Sequence, residues 1–363
     1  MKTILFTQGH ASQRAVVRLA RAAAPSASPA GLRVLASHAD DREDILDGAD
    51  VALREPARPD PRAEGAAYAA WLLAEARASA VGAVLAMRER AALAAAREDF
   101  SAAGIRLACG ATTPDALEAC ARKDLFAARM RTAGLPVPET IAVVDAAGLS
   151  HALATLSGAH GACVKPASGV YGRGFWRLDG HADAFAHLED PDRRVVHPDV
   201  FAAAWAAARE RDRLVVMDYL PGDEHSVDVV CDEGRLVAAA ARRKSGAYQV
   251  VTTRGPEIDL AEAVVATLGL DGLVNVQTKA DGEGVPKLLE VNTRYAGGVG
   301  YSAAAGVNLP AIATATLLGL APPREAFGGP EPRAVRIVDE PVLLERASAR
   351  LATEFDARAE EAA

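Results

Sequence analysis

Thiol chemistry is scarce in this 363-residue chain: Cys109, Cys120, Cys163 and Cys231 stand far apart and form no CxxC pair. That argues against a disulfide framework and a thiolate zinc site, and favours a reducing compartment. The eight histidines show no metal-ligand spacing. Positive charge is not in excess either. With 40 Lys+Arg against 48 Asp+Glu the net charge is -8, which argues against a general nucleic-acid or membrane binder and leaves room only for a local basic cleft. No apolar run reaches the ~18 residues of a membrane span. The start, Met1-Lys2 before the short run Thr3–Thr7, is unlike a secretory leader, so the expected location is cytoplasmic. Also missing is the Gly-x-Gly-x-x-Gly of dinucleotide sites: Gln8-Gly9-His10-Ala11-Ser12 holds one glycine, which argues against a nicotinamide oxidoreductase.

What is present is a globular composition, 50% hydrophobic and 24% charged, at a length that suits two or three packed units. In the first third, strand-like runs at Thr3–Thr7, Leu32–Ala36, Val81–Leu85 and Ile105–Leu107 alternate with helical stretches near 12–24, 68–78 and 90–104. Pro56, Pro59 and Pro61 mark a loop. This alternation predicts a parallel sheet with crossover helices, Rossmann-like in shape. One helix is expected from Thr113 to Gly134, with Pro114 in its first turn. Strands follow at 140–144, 162–166, 214–219, 224–231 and 235–242. Asp232-Glu233-Gly234 supplies a hairpin turn, and a second hairpin joins 273–280 to 287–294.

Three segments carry chemistry. In Leu288-Leu289-Glu290-Val291-Asn292-Thr293-Arg294, strand alternation sets Glu290, Asn292 and Arg294 on one face, ~7 Å apart, with Leu289 and Val291 on the other. The partner strand repeats the pattern with Asn275, Gln277 and Lys279. A short loop sets Gln277 opposite Glu290 and Ala280 opposite Lys287. One carboxylate and two amide oxygens near a common point suit Mg²⁺. A solvent-facing polar hairpin would look the same. The second segment is Lys165 at a strand end, followed by the glycine-containing loop Ser168-Gly169-Val170-Tyr171-Gly172-Arg173-Gly174. Its N–H groups could wrap phosphate oxygens beside the ammonium, or it could be a surface turn. The third is Met217-Asp218-Tyr219-Leu220 running through Pro221-Gly222 into Glu224, where backbone groups could read an adenine edge and Glu224 a ribose. Arg242, Arg243, Lys244 and Arg254 could hold a substrate carboxylate or be a solvated strand end.

Order and spacing of these segments resemble the ATP-grasp superfamily, in the branch similar to the carbamoyl-phosphate synthase large subunit. The likeness runs from about Thr113 to Leu318. It implies an α/β chain, α+β in its C-terminal part: a Rossmann-like pre-ATP-grasp domain (1–112), a linking helix (113–137), a small lid subdomain (138–216), a C-terminal subdomain (217–345) and a helical tail (346–363). It also implies ATP, with Mg²⁺ or Mn²⁺. Lys123 and Lys165 match the phosphate-binding lysines, and Ser168, Gly169, Gly172 and Gly174 the mobile lid loop. Asp218, Tyr219 and Leu220 match the adenine hinge, Glu224 the ribose acid, and Gln277, Glu290 and Asn292 the metal ligands. Arg294 matches the arginine that stabilises the moving phosphoryl group. With Lys165 and Arg243 it completes the expected catalytic set. Thr293 stands where proline is common in the branch, and Asp218 where glutamate is. The implied reaction joins a small-molecule carboxylate to an amine through an acyl phosphate, the substrate being an amino acid or another small metabolite. A non-catalytic ATP-binding regulatory module would share the lysines and the hinge. The charged segment after about 330 is expected to cover the active site or a homodimer partner.

Overall fold

The computed structural model describes residues 1–9, 12–26, 31–40, 42, 46–57, 64–156, 158, 160–169, 172–208, 213–329, 331–338 and 343. Val170 and Tyr171 of the glycine-containing loop, Pro59, Pro61 and the expected tail lie outside them. The strands are β1 (Lys2–Phe6), β2 (Leu32–His38), β3 (Val51–Arg54), β4 (Ala83–Leu85), β5 (Arg106–Ala108), β6 (Gly110–Ala111), β7 (Thr140–Val143), β8 (Ala162–Pro166), β9 (Trp176–Leu178), β10 (Val195–Val196), β11 (Leu214–Asp218), β12 (Glu224–Asp232), β13 (Arg235–Ser245), β14 (Tyr248–Thr252), β15 (Leu270–Ala280), β16 (Pro286–Asn292) and β17 (Arg333–Val335). Among the described residues no helix is long and apolar enough to cross a membrane.

Two compact units divide the chain. The first comprises Met1–Cys109, Ser245–Val251 and Ala296–Ala363, the second Gly110–Lys244 and Thr252–Tyr295. The first unit holds the parallel sheet β3-β2-β1-β4-β5. Ile4, Leu5 and Phe6 are buried because β1 is central and covered on both faces. The sequence reading missed β3, whose Val51-Ala52-Leu53-Arg54 alternates half-buried and exposed residues at the sheet edge. The expected helix at 90–104 is two short ones, Arg90–Ala95 and Arg97–Ala102. The helix Leu309–Leu317 packs on the helix Gln13–Ala20, and Asn308 Nδ2 donates to Leu19 O at 3.2 Å. The described residues from 296 to 329 belong with this unit.

The second unit carries two sheets. In the smaller, β10-β9-β8-β11-β7, Val164 and Val216 pack with Leu149 and Trp205. The larger runs β16-β15-β12-β13, all antiparallel, with β6 pairing the start of β15. The turn at Glu233 (φ 49°) and Gly234 (φ 85°) is left-handed at both central positions, the geometry that suits a two-residue hairpin. The helix Pro256–Leu268 packs on β12 and β15. Its buried side chains, Ile258, Ala261, Val264, Val265 and Leu268, cover one face of that sheet and leave the other for polar groups.

Candidate active site

The polar face is built by register. Arg242, Ser226, Gln277 and Glu290 form one row of directly paired positions across β13, β12, β15 and β16. Ala240, Asp228, Asn275 and Asn292 form the next. Side chains of directly opposed residues stand close enough to interact, so Gln277, Glu290 and Asn292 share one corner. Asn292 Nδ2 donates to Glu290 Oε1 at 3.4 Å.

A bulge between Gln277 and Thr278 corrects the expected pairing. Gln277 faces Glu290, but Thr278 then faces Leu288, and Ala280 faces Pro286 rather than Lys287. One residue of β16 is left over, so Leu288 with Val291 enters the core, and Leu289 stays half-buried. A bulge adds a residue to one strand and re-aims its neighbours. The second correction concerns Arg294, which lies two residues beyond β16. Its Nη1 donates to Tyr295 O at 3.2 Å, and Tyr295 is buried. The chain turns there against Gly110 (φ +97°), where a Cβ would come within 2.6 Å of Thr293 Cβ.

Both lysines converge on Glu290. Its Oε2 lies 3.5 Å from Lys123 Nζ and 4.0 Å from Lys165 Nζ. Burial pushes the Lys165 ammonium below its usual pKa; the Glu290 carboxylate opposes that shift and the Lys123 charge adds to it. Lys123 is placed by a break in what the sequence reads as one helix. Arg122 is extended (φ -120°, ψ 114°) between the helices Pro114–Ala121 and Lys123–Thr132. It bridges to Ser168, while Lys123 N–H donates to Ala167 O at 2.8 Å. Lys123 Nζ also donates to Gly169 O at 3.3 Å. The start of the glycine-containing loop is thus tied to the lysine. Gly169 (φ +137°), Gly172 (φ +62°) and Gly174 (φ +73°) take backbone conformations that favour glycine.

At the end of β11, Asp218 N–H and Tyr219 N–H donate to Glu139 O and Gly161 O. Those two donors are spent inside the protein. Leu220 is buried, and Arg177 stacks 4.7 Å from the Tyr219 ring centre. Glu224, at the exposed start of β12, is opposed to Lys279.

Arg243 is the residue the structure sets apart. It is opposed to His225, on the helix-covered face where His225 Nδ1 lies 3.5 Å from Glu257 Oε1. Its own Nη1 meets Asp223 Oδ2 at 3.1 Å. A strand presents alternate residues to opposite faces, so the sequence-expected catalytic Arg243 points away from Glu290. Arg242 takes its place on the polar face. It is committed to Asp228, with Nε–Oδ2 at 2.7 Å and Nη2–Oδ1 at 3.3 Å, and both side chains are buried. Lys244 and Arg254 are exposed. The sequence reading set Ser226 and Asp228 on one face and Asn275 beside Gln277, but assigned them no role. Only register shows that they join Arg242.

A divalent cation fits this donor set. Gln277, Glu290 and Asn292 offer one carboxylate and two amides, hard oxygen donors of the kind Mg²⁺ takes with water and phosphate. Among the described residues no cluster of three His, Cys, Asp or Glu occurs.

The chain has an N-terminal parallel α/β unit and a second unit whose polar sheet face carries Glu290 near two lysines, and its fold is the ATP-grasp fold of the solved structures below. Residues 210–339 match the family described as ATP-grasp in the biosynthetic pathway with Ter operon. No curated protein matches the chain. Similar solved structures include an ADP complex of N5-carboxyaminoimidazole ribonucleotide synthetase at 18% identity and TM-score 0.62, covering 91% of this chain and 80% of that one. An L-amino acid ligase from Bacillus licheniformis has 16% identity and TM-score 0.57, with 92% and 78% covered. The biotin carboxylase domain dimer of Hydrogenobacter thermophilus 2-oxoglutarate carboxylase, a complex with MgADP, ADP and bicarbonate, has 16% identity and TM-score 0.57, with 86% and 69% covered.

Proposed function

We propose that the chain is an ATP-dependent ligase that joins a small-molecule carboxylate to an amine. A carboxylate oxygen of the substrate attacks the γ-phosphorus of ATP, the bridging oxygen leaves with ADP, and an acyl phosphate forms. The amine nitrogen then attacks the acyl carbon, phosphate leaves, and the nitrogen gives up its proton. Such chemistry needs positioning and charge neutralisation rather than a protein nucleophile. The observation that carries the reading is Glu290, one carboxylate set between two lysine ammonium groups and beside the amides of Gln277 and Asn292.

In this reading Lys123 and Lys165 neutralise phosphate oxygens once Glu290 is drawn to a cation. Gln277, Glu290 and Asn292 would hold that cation, which would supply Lewis-acid charge to the nucleotide phosphates. Ser168, Gly169, Gly172 and Gly174 cover the phosphates and exclude water, which would hydrolyse the acyl phosphate. Asp218, Tyr219 and Leu220 border the base and Glu224 the ribose. Arg294 stabilises charge on the phosphoryl group. An amino acid is the favoured substrate class, as the similar ligase from Bacillus licheniformis is named for amino acids. Arg242 does not serve the substrate carboxylate, because Asp228 already engages it.

Glu290→Gln tests the proposal. It removes the only carboxylate of the set, so ATP-dependent phosphate release with amino-acid pairs should be lost while the melting curve stays normal. Near-normal turnover would remove this hairpin from the mechanism.

A further inference from the structure

Asn275 is fully buried, yet its side-chain oxygen Oδ1 has no hydrogen-bond partner among the described residues. Its orientation is fixed. Nδ2 donates to Asp228 Oδ1 and to Ser226 Oγ, both at 2.9 Å. An ionised carboxylate only accepts, so the amide cannot be flipped without setting oxygen against oxygen. Asp228 is itself held by Arg242 through two contacts, and Arg242 Nη2 reaches Ser226 Oγ at 3.0 Å. The whole network sits on β12 and β13. β15 lies between β12 and β16, so an amide whose nitrogen turns toward β12 turns its oxygen toward β16. The residue directly opposed to Asn275 there is Asn292.

A dry amide oxygen forfeits its hydration, and buried polar groups without partners are uncommon in folded chains. Asn292 Nδ2 donates to Glu290 Oε1, and no hydrogen bond runs from it to Asn275 Oδ1. We propose that Asn275 is a further oxygen donor to the cation site, reaching a water bound to the divalent ion. The Asp228–Arg242 pair is the clamp that aims it. This rests on the reading of Glu290 and Asn292 as cation ligands. It explains why a buried Arg–Asp pair, costly to desolvate, stands in the same two rows as those ligands: the pair holds an amide in one of its two orientations. Groups that orient or support metal ligands commonly change metal affinity 10–100-fold.

The test is Mn²⁺ binding to the full chain with saturating ADP, followed by electron paramagnetic resonance. Asn275→Ala should weaken Mn²⁺ affinity about tenfold, while ADP affinity without metal stays as in the wild type. Ser226→Ala removes one acceptor of Nδ2 but leaves Oδ1 aimed, and should leave Mn²⁺ affinity within about twofold. Should Asn275→Ala fail to fold, Asn275→Ser keeps a polar atom too short to reach and should show the same metal defect. Unchanged Mn²⁺ affinity in a folded Asn275 variant overturns the inference, as does an equal loss of metal-free ADP binding, which marks a general structural role. Glu290→Gln is run in parallel. If it too binds Mn²⁺ normally, the cation site itself is misplaced; if it alone loses Mn²⁺, only the role of Asn275 fails.

Discussion

At the scale of single residues, two neighbouring arginines separate cleanly. Arg242 and Asp228 are 5% and 1% exposed, whereas Arg243 and Asp223 are 35% and 62% exposed. Removing one partner of a buried pair leaves an uncompensated charge, so Arg242→Ala should destabilise by ~3–5 kcal/mol. Arg243→Ala should cost less than ~1 kcal/mol, and urea melts of the two variants check the contrast. A role for Arg243 in catalysis would instead show as a large loss of turnover in a stable protein. Cys163 gives a pH signature. Burial pushes its thiol up to about 11, with Lys165 opposing and Asp218 adding. A folded state that resists ionisation loses stability as pH rises from the unfolded thiol value, near 9, toward the folded one. Between those values the wild type should lose ~2–3 kcal/mol relative to Cys163→Ala. The thiol should also resist alkylation at neutral pH until the chain unfolds. Identical alkaline profiles for the two proteins would contradict the burial argument.

At the scale of elements, breaks in regular structure position the chemistry. The Arg122 interruption sets Lys123 against the start of the glycine-containing loop. The bulge at Gln277 re-aims β16. Beyond that strand, the turn bearing Arg294 is pinned against Gly110. Replacing Gly110 with alanine combines an unfavourable positive φ with a collision against Thr293, and should destabilise by ~2–4 kcal/mol. If the turn matters for catalysis, turnover at a permissive temperature should fall more than ATP affinity, because Arg294 moves. Arg294→Ala should show the same split in stronger form, a severe loss of kcat with little change in ATP binding. Calorimetry paired with single-turnover phosphate release measures both. Loss of ATP binding with an unchanged rate at saturation would make Arg294 a nucleotide anchor.

For the whole molecule, a ligand that binds only the folded state raises the melting temperature by mass action, ~2.7 kcal/mol at a hundred times its dissociation constant. MgATP should therefore raise the melting temperature and NADH should not; the reverse result would replace the nucleotide assignment. The sequence by itself determined the fold class. The alternating strands of the first third, the turn at Glu233-Gly234, and the polar alternation of Glu290 and Asn292 are local patterns, and local patterns survive translation into structure because side-chain direction follows backbone period. What it left undecided depends on contacts between distant segments. β3 was invisible because an edge strand needs only half of its residues buried. The break at Arg122 is held by Ser168 and Ala167, over forty residues away, so no helix signal reports it. Whether Arg242 or Arg243 joins Glu290 hangs on strand register, where a shift of one residue exchanges the two faces. The orientation of Asn275 is set by Asp228 on a neighbouring strand, and only the folded sheet brings that carboxylate to it.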